Sequence, residues 1–171
     1  MTNFLGYAPS EVDLDSAKAV IIPVPYDATT SYKTGARYGP EAIIRASLQL
    51  EDYDLELDGD VSSQGIFTTP SLPVIVDGPK QMIDLVEIEV SKYISKGKII
   101  GVLGGEHSIS LGVIKAFKET HSDFSVLYLD AHSDMRQSYQ GSLFSHACTA
   151  RRIKEYVPIT LAGIRSVSLE E

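Results

Sequence analysis

Leu129-Asp130-Ala131-His132-Ser133-Asp134 places two carboxylates and an imidazole at alternate positions, just after an apolar run. In extended backbone, residues i, i+2 and i+4 point to one face. On a helix, His132 would point away from Asp130 and Asp134. The spacing therefore predicts three groups converging at the end of a strand. A metal ion is the species that most needs such convergence. The plainer alternative is that Asp and His cap a turn by binding backbone amides.

Working outward, the motif closes the apolar run from Phe124 to Leu129, and three further runs read as strands. Ala19 to Val24 ends in Pro25-Tyr26-Asp27, Lys98 to Leu103 ends in Gly104-Gly105, and Ile159 to Ala162 ends in Gly163. They are near-continuously apolar, the pattern of parallel strands covered on both faces. Helical segments lie between them. Gly39 to Ile44 carries Pro40 in its first turn. Pro79 to Lys96 has apolar residues at a 3.6 period. Ser108 is placed to cap Ile109 to Lys118, and Ala147 to Tyr156 is a fourth helix. Glu51 to Pro73 is polar and irregular, with room for short edge strands. The expected fold is α/β: a three-layer, open, mostly parallel sheet with helices on both faces. Ligands of such sheets bind beyond the carboxyl ends of strands. Asp27, Gly104-Gly105-Glu106-His107, Asp130 to Asp134 and Gly163-Ile164-Arg165 all fall at such ends, which predicts one shared site.

The 171 residues suffice for one domain with a core. A net charge of -8 argues against nucleic acid or an anionic membrane as partner and is compatible with a small cationic ligand. No apolar run approaches a membrane span, and no basic-plus-apolar leader is visible, so the expected address is the cytoplasm. The single cysteine, Cys148, cannot form an internal disulfide and reads as a small buried residue. The 9 tyrosines show no stacking pattern and read as packing residues.

His107, Asp130, His132 and Asp134 offer two imidazoles and two carboxylates with no thiolate, a set suited to Mn²⁺, Fe²⁺ or Zn²⁺. Such an ion with open positions makes hydroxide available near neutral pH. Asp130, central in the cluster, is the natural bridge between two ions. Glu106 reads as a solvated carboxylate at a helix start, Gly104 and Gly105 as turn residues, and His121 as a surface residue. His146 opens a helix after a polar loop. It is either a plain N-terminal residue or a proton shuttle, since imidazole titrates near neutrality.

Taken together, Gly104-Gly105-Glu106-His107-Ser108, Asp130 to Asp134 and Ser145-His146-Ala147-Cys148 resemble the ureohydrolases, the arginase and agmatinase family. Thr30 to Ile43 and Gly163-Ile164-Arg165-Ser166 extend the resemblance over nearly the whole chain. It implies an arginase-like fold and a two-Mn²⁺ hydrolase in which a metal-bridging hydroxide attacks a guanidinium carbon, releasing urea and an amine. It also implies that His107 and Asp134 ligate one ion and His132 the other, with Asp130 bridging. Asp134 would also orient the hydroxide, and His146 would relay protons. Gly141 to Ser145 resembles agmatinases, and Ser166 and Ser168 stand where arginases tend to carry aspartates. Both features favour agmatine, giving putrescine, over arginine, with guanidinobutyrate as a further candidate. Homo-oligomeric assembly is expected on the same analogy. Family members are considerably longer, and their later half carries a second Asp-x-Asp motif. Residues 1–171 are thus expected to be the N-terminal part of a single arginase-like domain. A non-catalytic metal-binding or interaction domain of the same fold is the alternative.

Overall fold

The computed structural model describes residues 3–8 and 11–171. In chain order its strands are β1 (Ala19–Val24), the two-residue β2 (Tyr53–Asp54) and β3 (Gly59–Asp60), β4 (Ile66–Thr68), β5 (Ile99–Gly104), β6 (Val126–Leu129) and β7 (Ile159–Ala162). Its helices are α1 (Gly39–Ser47), α2 (Pro79–Ile94), α3 (Ser110–Thr120) and α4 (Thr149–Ile153). Parallel strands alternating with helices make the α/β architecture that the apolar runs predict.

The parallel strands fall into two ribbons. β1 lies between β4 and β5, with Ala19 opposite both Ile66 and Ile99. β6 pairs with β7, Val126 opposite Ile159. β2 and β3 form a separate antiparallel pair. No ladder joins β5 to β6 among the described residues.

Alternation along β1 sends Val20, Ile22 and Val24 to one face, where they meet Met82, Val86 and Val90 of α2. On the other face Pro23 borders the same cleft as Ile44 of α1. This ribbon is therefore layered by helices on both sides. A second core joins Tyr128 of β6 to Ile83, Leu111, Ala150 and Ile153 from α2, α3 and α4. The α2–α3 contact is close because Gly112 sits where a Cβ would overlap the Ile83 carbonyl.

Local sequence explains the elements that match expectation. α1 and α2 both begin with proline in the first turn, where the missing N–H costs nothing. Three details differ. Ser108 caps nothing; it lies in a short 3-10 turn, His107–Ile109, and its hydroxyl donates to Glu106 Oε1 at 2.6 Å. The helix expected from Ala147 to Tyr156 is shortened to α4, preceded by the turn His146–Cys148. Finally, among the described residues β6 is packed on one face. Tyr128 is buried, whereas Leu127 and Leu129 are 65% and 73% exposed. α3 and α4 pack on the Tyr128 side.

Candidate metal centre

The ends of β1, β5 and β6 and the loop after β7 border one cavity of about 720 Å³. How each side chain reaches it follows from the backbone. At the end of β5, Gly105 passes so close to Tyr26 that a Cβ would overlap the Tyr26 carbonyl oxygen. The Glu106 N–H donates to that same oxygen at 2.8 Å. Gly105 is thus required by this approach and is more than a turn residue. The chain is thereby held beside β1, which sets Glu106 against Thr29 and aims His107 across the cavity floor.

β6 ends at Leu129, and Asp130 to Asp134 is irregular, with Asp134 in the left-handed region at φ 48°. Convergence of these residues therefore arises differently from the strand alternation that their spacing predicts. The Asp130 N–H donates to Ala162 O at 3.1 Å, and the Ala131 carbonyl accepts from both Arg165 and Ser166 N–H at 2.9 Å. Asp134 O accepts from the Arg151 N–H at 3.1 Å. These tethers to the end of β7 and to α4 turn the chain so that both aspartates face His107. Among the non-glycine residues, Asp tolerates the left-handed conformation well.

His107 Nδ1 lies 3.1 Å from Asp130 Oδ2 and 3.2 Å from Asp134 Oδ2. Donor atoms of these three residues lie within 4.8 Å of one another, a group able to hold a metal ion. His132 falls outside that group. Its side chain is 66% exposed, and its Nδ1 sits 3.2 Å from the other Asp130 oxygen, Oδ1. Asp130 thus faces an imidazole with each oxygen. Burial pushes the Asp130 carboxyl up, but the His132 N–H and the nearby His107 and His132 rings pull it, on balance, below the ordinary carboxylate range.

His146 borders the same cavity. Its ring is held by Thr29 Oγ1, 3.2 Å from Nδ1, and by Ser31 Oγ, 3.1 Å from Nε2. Tyr139 meets it edge-on, centroids 5.8 Å apart. Cys148 is buried, and burial pushes its thiol up, so it packs as its sequence context suggests. His121 stacks loosely on Phe117, exposed and away from the cavity.

Three site residues escape sequence reasoning. Tyr128 is one of the tyrosines read as packing. Its ring stacks on His107, its hydroxyl donates to Asp134 Oδ2 at 2.7 Å, and His107 Nδ1 is 3.0 Å from the Tyr128 hydroxyl oxygen. Burial and the Asp134 carboxylate both push this hydroxyl upward in pKa, so it stays protonated and donating. Strand parity could have found it, since Tyr128 stands two positions before Asp130. Glu106, read as solvated, is buried and accepts from Thr29 N–H and Oγ1 and from Ser108, each at 2.6 Å. Glu171 folds back against Ser168 and the Met135 N–H and borders the cavity. No local pattern announces either contact.

Comparison with known proteins fits this arrangement. Residues 17–171 match the model of the arginase family. The chain belongs to the arginase family. Two relatives within or beside this family illustrate the likeness. The N(1)-aminopropylagmatine ureohydrolase of Synechocystis is 40% identical over 162 residues, covering 91% of this chain and 53% of that protein. The agmatinase of Pyrococcus horikoshii is 42% identical, covering 94% and 56% respectively. Among solved structures, the agmatine ureohydrolase of Thermoplasma volcanium superimposes with a TM-score of 0.85 at 38% identity, covering 91% of this chain and 53% of that one. This arginase-family chain therefore spans about half the length of the relatives it matches. No helix among its described residues is long and apolar enough to cross a membrane.

Proposed function

We propose that this chain carries the metal-binding portion of a ureohydrolase that splits the guanidinium group of agmatine into urea and putrescine. The supporting observation is the convergence of His107 Nδ1, Asp130 and Asp134 in the cavity, with His132 beside the other oxygen of Asp130. Imidazole and carboxylate donors without thiolate fit Mn²⁺ and similar ions. Asp130, His107 and Asp134 would hold one ion, and Asp130 and His132 a second. Bound there, the metal would supply Lewis acidity and a lowered water pKa.

The remaining steps belong to side chains of the chain. The negative floor attracts a guanidinium cation. Tyr128 keeps Asp134 oriented. His146 accepts a proton from the attacking water and returns it to the departing amine nitrogen. Ser166 and Ser168 border the cavity with uncharged hydroxyls. They offer no carboxylate for the α-ammonium of arginine, which favours a substrate without an amino-acid head. N(1)-aminopropylagmatine is the second substrate to weigh, given the named activity of the 40%-identical relative. The reading includes a cytoplasmic, homo-oligomeric setting in polyamine formation.

A second reading is metal binding without turnover, for which the donor cluster of His107, Asp130 and Asp134 suffices by itself. One experiment separates the two. Urea release is measured under saturating Mn²⁺ with agmatine, N(1)-aminopropylagmatine, guanidinobutyrate and arginine, alongside metal analysis. Urea from agmatine supports the first reading. Mn²⁺ uptake with no urea from any of the four refutes it and favours the second.

A further inference from the structure

The hydrogen bonds around His146 favour one direction. Thr29 Oγ1 lies 2.6 Å from Glu106 Oε1. A carboxylate only accepts, so the single Thr29 proton is committed to Glu106. The same oxygen accepts the His146 backbone N–H at 3.0 Å and faces His146 Nδ1 at 3.2 Å. With no proton left to give, Thr29 can only accept from that ring nitrogen, which must therefore carry hydrogen. Ser145 Oγ, 3.3 Å from Nδ1, is a second acceptor for the same proton. If Ser145 donated instead, the Nδ1 lone pair would face an oxygen with nothing to offer it. In a neutral imidazole the other nitrogen then bears the lone pair. Ser31 Oγ, 3.1 Å from Nε2, donates to it.

We infer that Thr29, its hydroxyl oriented by buried Glu106, is a positioning residue that fixes His146 as the Nδ1–H tautomer and leaves Nε2, beside Ser31 Oγ, as the basic nitrogen. Nothing in this assignment depends on a bound metal. The use made of Nε2 rests on the ureohydrolase reading; the tautomer does not. A proton taken up at Nε2, with the Ser31 hydroxyl turning from donor to acceptor, gives an imidazolium whose Nδ1–H already has its acceptor, so the ring need not turn between receiving the proton and giving it up. Pinning the unprotonated nitrogen in advance is how a neighbouring acceptor makes an imidazole a directed base.

The test is a long-range ¹H–¹⁵N correlation spectrum of the ¹⁵N-labelled chain at about pH 8.5, roughly two units above the ordinary imidazole value. Loss of signals in His146→Gln assigns the ring. Nδ1 is expected at the shift of a protonated ring nitrogen and Nε2 at that of an unprotonated one. Thr29→Val should move both nitrogens toward the Nε2–H pattern, and Thr29→Ser should restore the original shifts. A wild-type spectrum dominated by Nε2–H overturns the inference without need of any variant. So does a folded Thr29→Val chain whose ring shifts equal those of Thr29→Ser. If the spectra are as expected and no urea is released from any guanidino compound, the hydrolase reading fails and the role of Thr29 stands.

Discussion

Tyr128 lies almost flat on His107, with ring centroids 4.7 Å apart and planes 17° from parallel, while its hydroxyl is spent on Asp134. One buried residue thus orients two proposed ligands, by packing and by a hydrogen bond. Residues in this outer position typically cost ten- to a hundred-fold in metal affinity when altered. Tyr128→Phe keeps the stack and deletes the bond. It is expected to weaken Mn²⁺ binding by about ten-fold, read by calorimetric titration, with the melting curve of the metal-free chain little changed.

Asp130 turns one oxygen to His107 and the other to His132. Asp130→Asn preserves shape but removes the charge and one acceptor. Loss of a shared ligand should exceed any outer-position effect, so Mn²⁺ affinity is expected to fall by more than about a hundred-fold. His132→Ala, at the exposed rim, should lower the number of ions bound while leaving tighter binding at His107 and Asp134. Metal analysis after gel filtration distinguishes the two outcomes.

Asp27 is buried and bound to Arg37. Its carboxylate accepts from the Gly35 N–H and Arg37 Nε at 2.6 Å each and forms an ion pair with the guanidinium. The Arg37 guanidinium first, then the Gly35 and Arg37 amides, hold its carboxyl below the ordinary value in spite of burial. A folded pKa below the unfolded one contributes stability that is complete above about pH 4 and is lost as pH falls through the folded value. Thermal melts between about pH 6 and pH 2 should therefore show an acid-side loss. Asp27→Asn should shrink that loss and lower the melting temperature at pH 6.

Gly105→Ala places a methyl group against the backbone carbonyl of Tyr26, which cannot rotate away. The expected cost is about 3 kcal/mol or more, the upper range of overpacking. Denaturant titration checks it. A variant as stable as wild type would show that the β1–β5 junction opens freely, against the approach seen here.

The sequence exposes those parts whose cause is local. Ala19 to Val24 and Ile159 to Ala162 are uninterrupted apolar runs closed by Pro or Gly nearby, and both strands match at each end. Asp130, His132 and Asp134 are legible because they are three titratable groups in five residues. The reason they converge is not legible, since it lies in amide bonds from Arg151 and Arg165, far along the chain. Glu106 looks like any acidic residue at a helix start until Thr29, 77 positions earlier, donates to it twice. Tyr128 hides inside an apolar strand because its ring does belong to a core; only the hydroxyl serves the site.

The loop from Asp27 to Arg37 is fastened at its base by the ion pair of buried Asp27 with Arg37 and carries Thr29 and Ser31 against the His146 imidazole. The carboxylates of the floor come from other segments, after β6. Acid–base tuning and cation affinity are therefore separable traits of this architecture. Substitutions confined to the excursion can reshape proton handling across a lineage while the ion-holding residues stay untouched.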